Sequence, residues 1–189
     1  MEKAIIVIDY SNDFVATNGA LTCGKAGQAI EDTILHYIES GIKEGDSIFF
    51  LMDHHYPNDS YHPEHKLFPS HNLDGSPGRE LYGKINKFYE SHRDSPQVYW
   101  INKTRYSSFA GTNLHQLLQE RRIHEVVLLG VCTDICILHT AVDAYNLGYQ
   151  ITVVSGGVAS FDQNGHTWAL GHFKNALGAT VAKNWEEIQ

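Results

Sequence analysis

Six runs of apolar residues, each about as long as one β-strand, are spread along the chain. They occupy residues 4–8, 48–52, 98–101, 126–129, 151–154 and 179–182. Most are continuous rather than alternating, which is typical of strands buried on both faces of a sheet. Asp9, Asp53, Gly130 and the stretch 155–157 follow four of them directly. We therefore predict six strands, of which the last is short.

Between these runs, apolar residues recur at spacings of three and four positions, as in an amphipathic helix. Residues 29–43 show this most clearly, with Ile30, Ile34, Ile38 and Ile42 on one face. Further helices are predicted over residues 79–90, 112–122, 135–147 and 167–177, with Thr112 as an N-cap and Gly148 as a stop signal. Residues 10–27 and 54–78 are predicted to be loops because breakers or polar residues dominate them. A loop as long as the second usually has a function.

The alternation of strands and helices predicts an α/β fold of the Rossmann-like type. We expect three layers, with a mostly parallel six-stranded sheet covered by helices on both faces. The 189 residues suit a single domain, and no linker or internal repeat divides residues 1–189.

Composition and charge narrow the range of partners. The formal net charge is −8 and basic runs are absent, which argues against nucleic acid and against an anionic membrane surface. No apolar run reaches the length of a membrane span, and the first one is too short for a signal peptide. The three cysteines, Cys23, Cys132 and Cys136, do not form a plausible disulfide framework, so we expect free thiols and a cytoplasmic protein. The oligomeric state is left open, including a homo-oligomer.

Four chemically capable side chains stand at the ends of four consecutive predicted strands. Asp9 and Asp53 follow the first two, Lys103 lies just past the third, and Cys136 lies just past the fourth. Parallel sheets bind ligands beyond the carboxyl ends of their strands, so these side chains should share one rim. An acid, a lysine and a thiol suit nucleophilic catalysis, with Asp9 as proton acceptor. The alternative for Asp9 and Lys103 is an ordinary ion pair.

Cys136 is predicted to lie in the first turn of a helix, after a buried strand. The partial positive charge and free N–H groups of a helix N-terminus favour a thiolate and can receive an oxyanion. A buried structural cysteine is the alternative.

The histidine-rich loop contains a second candidate site. Asp53 and His55 are two residues apart on an extended chain end, so their side chains point the same way, whereas His54 should point away. Together with His71 they form a carboxylate and imidazole set suited to Zn²⁺, Mn²⁺ or Fe²⁺. Solvated loop histidines are the alternative reading.

Three motifs together resemble the isochorismatase-like cysteine hydrolases, and within them most closely the nicotinamidases (pyrazinamidases). The motifs are Asp9, the segment 102–109 with Lys103, and the segment 130–136 with Cys136. The resemblance covers essentially the whole chain and implies an isochorismatase-like fold. It also implies a catalytic triad of Asp9, Lys103 and Cys136, and a cis peptide bond between Val131 and Cys132. The backbone N–H groups of Cys132 and Cys136 would then form an oxyanion hole, although many relatives have a small residue such as Ala at position 132.

The resemblance also implies one divalent metal ion, with Zn²⁺ as first choice and Mn²⁺ or Fe²⁺ as alternatives. Asp53, His55 and His71 fall at the ligand positions of nicotinamidases. Glu64 is our choice for the remaining ligand, with His62 and His65 as rivals.

Phe14, Phe68 and Tyr106 lie in segments expected around the cleft, where aromatic walls suit a flat ring. Phe68 matches the position of a large aromatic residue in the relatives, while ordinary core packing is the alternative for all three.

The implied activity is the conversion of nicotinamide to nicotinate and ammonia through a Cys136 acyl-thioester, as in NAD salvage. Pyrazinamide is a second expected substrate. A related amidohydrolase acting on another small amide or an N-carbamoyl compound is the first alternative. A redox or metal-sensing protein and a non-catalytic scaffold are the others.

Overall fold

The computed structural model describes residues 2–183 and 185–188. Its centre is one sheet of six strands, all parallel, as the apolar runs predict. In chain order the strands are β1 (Ala4–Ile8), β2 (Ser47–Asp53), β3 (Val98–Lys103), β4 (Glu125–Val131), β5 (Gln150–Ala159) and β6 (Thr180–Ala182). The spatial order is β3-β2-β1-β4-β5-β6, so the direction of strand addition reverses between β1 and β4. That reversal marks the usual ligand-binding edge of such a sheet.

Seven α-helices connect the strands in the described part of the chain. They are α1 (Asn12–Val15), α2 (Gly24–Ala29), α3 (Glu31–Glu44), α4 (Gly83–His92), α5 (Leu114–Glu120), α6 (Leu138–Asn146) and α7 (Gln163–Ala176). Short 3₁₀ turns lie at Pro63–Lys66, Pro77–Arg79 and Trp185–Ile188, and one π-helical turn lies at Thr133–Ile137. Two hydrophobic clusters form the core, one on each face of the sheet, so the predicted three-layer α/β fold is confirmed. Among the described residues, no helix combines the length and apolar character needed to cross a membrane.

Two strands extend through glycines that the sequence pattern assigns to their ends. β4 continues through Gly130, whose φ of 113° accompanies a register shift against β5, and a Cβ there would overlap the carbonyl oxygen of Ile8. β5 continues through Gly157, where a Cβ would overlap the side chain of Leu129. These glycines allow neighbouring backbone and side chains to approach closely, so the prediction that they end the strands is wrong.

Several helix boundaries also differ from the prediction. The predicted loop 10–27 contains α1 and the first four residues of α2. The predicted helix 135–147 begins with the π-helical turn before α6, α5 begins after Asn113 rather than Thr112, and α4 begins at Gly83. α7 begins four residues early because Asp162 caps it, its side chain accepting a hydrogen bond from the Asn164 N–H at 3.0 Å.

Candidate functional site

The four strand-end residues lie together at one edge of the sheet. Asp9 follows β1, Asp53 is the last residue of β2, Lys103 is the last residue of β3, and Cys136 lies in the π-helical turn after β4. All four are buried. β1 lies between β2 and β4, so Asp9 and Cys136 flank the point where the strand order reverses.

Asp9 and Lys103 form a fully buried ion pair, with 2.7 Å between Oδ2 and Nζ. The other carboxylate oxygen of Asp9 accepts the Asp53 N–H at 2.8 Å. Asp9 has a φ of 54°, in the left-handed region that aspartate tolerates better than most residues. The carboxylate is therefore fixed by one partner from β2 and one from β3.

Burial is the largest single influence on the pKa values of Asp9 and Lys103. It raises the pKa of Asp9 to about 6, although the positive charge of Lys103 acts in the opposite direction. For Lys103, burial tends to lower the pKa, but Asp9, the Cys136 thiol and Asp53 outweigh it and raise the pKa above its ordinary value. Lys103 is thus a permanent cation, and Asp9 is a stronger base than an exposed carboxylate.

The thiol of Cys136 is 3.6 Å from the Lys103 ammonium. Burial raises the pKa of Cys136 well above its ordinary value; Lys103 opposes this shift and the Asp9 carboxylate adds to it. In the free protein, loss of water thus opposes the thiolate that the helix start favours. The neutral thiol needs a base, and Asp9 is next to it.

Cys132 directly follows the last residue of β4. The peptide bond between Val131 and Cys132 is cis, as the resemblance implies. Cys132 and Cys136 line the same pocket. On its other side, the Cys132 sulfur lies 3.5 Å from that of Cys23. All three cysteines are free and buried.

Asp53, His55 and His71 bring three potential ligand atoms within 4.8 Å of one another. The distance from His55 Nε2 to Asp53 Oδ2 is 2.7 Å, and His71 Nε2 is 3.3 Å from the same oxygen. His71 Nδ1 lies 2.8 Å from the Pro69 carbonyl, which can only accept, so Nδ1 donates and a neutral ring has its lone pair on Nε2. This buried Nε2 has no hydrogen-bond partner of good geometry among the described residues. The donor set therefore fits a divalent cation.

Glu64 lies beside this group, with Oε2 at 3.5 Å from His71 Nε2. His62 is also buried but directs Nε2 to the Thr104 carbonyl at 2.8 Å, while His65 is exposed. His54 points to Asp74, with 3.0 Å between His54 Nε2 and Asp74 Oδ1. Among the three candidates for the remaining ligand, Glu64 is the one whose side chain faces His71. His62 forms a second group of potential ligand atoms with His55 and Glu64.

The charges of the cluster also favour a cation. Burial lowers the pKa of His71, but its contacts with Asp53 and Glu64 outweigh burial and raise the pKa to about 10. Burial alone would raise the pKa of Asp53, yet Lys103, His55 and His71 hold it well below its usual value. Two carboxylates thus demand positive charge here, which a proton or a metal ion can supply.

A small pocket connects the thiol to this cluster. Most of its lining residues are aromatic or aliphatic, which suits a flat ring. Phe14, Phe68 and Tyr106 all line it, and Phe14 packs edge-on against His71 with ring centroids 5.3 Å apart. The remaining lining residues are Leu21, Asp53, Glu64, Cys132, Ile135, Cys136 and Phe161.

Sequence reasoning missed several residues of this site. Leu21, Ile135 and Phe161 line the pocket, yet apolar residues in loops and turns give no distinctive signal. Asn72 is also missed: its carbonyl accepts the His55 N–H at 3.1 Å, and its Oδ1 accepts the Ser11 hydroxyl at 2.8 Å. Its position next to His71 was the one available hint.

Comparison with known proteins agrees with this geometry. The family model described as "Isochorismatase domain" matches residues 3–184. The isochorismatase family protein PncA of Bacillus subtilis (strain 168) is 54% identical over 183 residues, covering 97% of this chain and 100% of that protein.

Solved structures give the same result. A structure of nicotinamidase PncA from Bacillus subtilis has a TM-score of 0.94 and 54% identity, covering 97% of this chain and 100% of that one. A pyrazinamidase/nicotinamidase from Streptococcus mutans UA159 has a TM-score of 0.93 and 53% identity, covering 95% and 99%. The family model and these relatives span nearly the whole sequence, and the chain belongs to the isochorismatase family.

Proposed function

We propose that the protein is a metal-dependent cysteine amidohydrolase that converts nicotinamide to nicotinate and ammonia. The observation that carries this proposal is a single small pocket whose wall contains both the Cys136 thiol and the cation site at Asp53 and Glu64. Similar solved proteins are described as nicotinamidases or pyrazinamidases, which supports the same substrate class. Pyrazinamide, another flat one-ring amide, is the second expected substrate.

In the proposed reaction Asp9 takes the proton of Cys136, and the resulting thiolate attacks the amide carbon. The backbone N–H groups of Cys132 and Cys136 stabilise the oxyanion, a contribution for which loss of one donor typically costs about a hundredfold or more in rate. Asp9 then gives its proton to the amide nitrogen, which leaves as ammonia, and a water hydrolyses the acyl-thioester to nicotinate and the free Cys136 thiol. Lys103 favours the ionised form of Asp9 before the proton transfer and holds the carboxyl group in place, through the 2.7 Å ion pair.

Asp53, His55, Glu64 and His71 are the proposed ligands of one divalent cation, with Zn²⁺ preferred for a carboxylate and imidazole set. Such an ion would supply a Lewis acid that binds the ring nitrogen of the substrate and water. Phe14, Phe68 and Tyr106 would hold the ring from its sides, since all three face the pocket.

Residues 1–189 are proposed to form a single catalytic domain. We also place the protein in the cytoplasm, where free thiols such as Cys23, Cys132 and Cys136 stay reduced. A hydrolase of N-carbamoyl compounds would keep the triad, but it would leave the cation site at His55 and His71 without an evident role.

The deciding experiment measures ammonia release from nicotinamide by the purified protein, before and after chelation of metal. The Cys136→Ala variant, with its metal content measured, serves as the matched control because it should keep the cation and lose turnover. Release that requires both the thiol and the metal supports the proposal. No release by metal-replete wild type, or a near-normal rate from Cys136→Ala, would sink it.

A further inference from the structure

His62 stands between the metal loop and the segment after β3. It is the N-cap of the 3₁₀ turn Pro63–Lys66, and its Nδ1 accepts the Glu64 N–H at 3.3 Å. Its Nε2 lies 2.8 Å from the Thr104 carbonyl oxygen, across 42 positions of sequence. The ring also packs edge-on against His55, with centroids 4.3 Å apart. Only 8% of the residue is exposed.

The partners of the two ring nitrogens define the tautomer. A backbone N–H only donates, so Nδ1 must offer its lone pair to Glu64. A carbonyl oxygen only accepts, so Nε2 must carry the hydrogen that points to Thr104. A neutral ring in this arrangement has no lone pair left for a cation. His62 thus differs from His71, whose Nε2 is free of hydrogen bonds of good geometry among the described residues.

Thr104 directly follows Lys103, and its carbonyl also accepts from Arg105 Nη1 at 2.6 Å. The next carbonyl, that of Arg105, accepts from the Lys103 ammonium at 3.2 Å. The short segment after β3 is thus held by His62 on one side and by Lys103 on the other. His62 is the described side chain that hydrogen-bonds both this segment and the backbone of Glu64.

We propose that His62 is a positioning residue rather than a metal ligand, and that its two hydrogen bonds have separate effects. The bond to Glu64 holds that carboxylate at the cation site, and the bond to Thr104 fixes the segment that supports Lys103. This inference rests on the proposed function for the cation site, but its first readout is metal binding and does not require turnover.

Two conservative substitutions separate the two bonds. In His62→Asn, Oδ1 takes the approximate place of Nδ1 and asparagine remains a good N-cap, so the Glu64 contact survives and the Thr104 contact is lost. In His62→Gln, the amide nitrogen takes the approximate place of Nε2, so the Thr104 contact survives. His62→Ala removes both, and His65→Asn on the same turn, exposed to solvent, is the matched control.

The experiment measures the Zn²⁺ dissociation constant of the full chain by competition with a chromophoric chelator, together with kcat and KM for nicotinamide. We expect His62→Ala to bind Zn²⁺ about 10- to 100-fold more weakly, the usual effect of losing a partner of a ligand. His62→Asn should bind Zn²⁺ within about threefold of wild type yet have a reduced kcat. His62→Gln should bind Zn²⁺ about as weakly as His62→Ala, and His65→Asn should match wild type.

Two outcomes overturn the proposal. If His62→Asn loses Zn²⁺ as severely as His62→Ala, the imidazole itself is a ligand. If His62→Ala matches His65→Asn in Zn²⁺ affinity, His62 has no positioning role. Both outcomes are comparisons of Zn²⁺ affinity, so they can be read even if the wild type releases no ammonia from nicotinamide. A failure of the proposed function is therefore recognised separately.

Discussion

Lys103 keeps its charge in a place that water hardly reaches, since only 1% of the residue is exposed. A buried ammonium is stable only when anions surround it, and here Asp9 lies at 2.7 Å and Asp53 at 3.9 Å. The buried Asp9 carboxylate depends on Lys103 in the same way, because no other cation among the described residues lies within ion-pair distance of it. The two residues are therefore one functional unit.

Replacing Lys103 with Met keeps the volume but removes the charge. The pKa of Asp9 should then rise further, because burial is no longer opposed, and Asp9 is protonated and unable to accept the Cys136 proton. We expect kcat for nicotinamide to fall about a hundredfold or more, with a small change in KM. Steady-state kinetics measure both values, with Lys84→Ala, at an exposed ion pair, as control. An effect confined to KM would contradict this role.

Asp46 provides a prediction about pH and stability. Burial raises its pKa from 3.8, although the hydrogen bond from the Lys3 N–H and the charge of Lys3 oppose the shift. A raised pKa means that the folded state binds the proton more tightly than the unfolded state. The free energy of unfolding therefore loses a contribution as pH rises from about 3.8 through the folded-state pKa.

Asp46→Asn removes this loss, because the amide stays neutral and its oxygen can still accept the Lys3 N–H. The stability of the variant relative to wild type should be higher at pH 7 than at pH 4. Urea unfolding at both values tests this, with the exposed Asp94→Asn as control. A difference that stays constant between the two pH values would count against it.

At the level of elements, the end of β4 determines how the π-helical turn that contains Cys136 leaves the sheet. Gly130 allows β4 to approach the Ile8 carbonyl, one residue before Asp9. The turn with Cys136 follows only two residues after the end of β4. The backbone conformation at Gly130 therefore affects the placement of two members of the proposed triad, Asp9 and Cys136.

Gly130→Ala should destabilise the fold by about 3 kcal/mol or more, through the strained φ and the overlap with Ile8. Gly171→Ala is a suitable control, because Gly171 lies within α7 and no described atom outside its own helix backbone and chain neighbours is within 4 Å of the added Cβ. That variant should gain up to about 1 kcal/mol. Denaturant unfolding of both proteins gives the comparison, and equal stabilities would refute the argument.

Elements also show how far sequence reasoning reaches. Strands buried on both faces are continuous apolar runs, so all six could be recognised, and the strand-end residues Asp9, Asp53 and Lys103 followed from them. Gly130 and Gly157 were misread because close packing between strands depends on tertiary contacts. The contacts of His62 and Asn72 could not be predicted, since the loop that holds them has no periodicity.

For the whole molecule, the cation site joins the end of β2 to the long loop that follows it. Its proposed ligands lie at the end of β2 and in the following loop, beside α1 and the pocket. A ligand that binds only the folded state stabilises it, by about 2.7 kcal/mol at a hundred times its dissociation constant.

Removal of the metal should therefore lower the Tm of wild type. His71→Ala should have a low Tm that Zn²⁺ and chelator hardly change, because the variant lacks a proposed ligand. Thermal unfolding with and without chelator tests this, and elemental analysis confirms the metal content. Equal responses of wild type and variant would contradict the assignment of His71.

The position of β3 has a further consequence. It is one of the two edge strands and, among the described residues, pairs with β2 alone, so its backbone amides have one strand neighbour while those of β1 have two. Edge segments exchange their amide hydrogens through local opening at lower free energy than central ones. Each such opening would withdraw Lys103 while the rest of the sheet stays intact. Activity should therefore be lost at a lower temperature than that of global unfolding. The rate of amide hydrogen exchange across β3 would indicate the highest temperature at which the protein remains active.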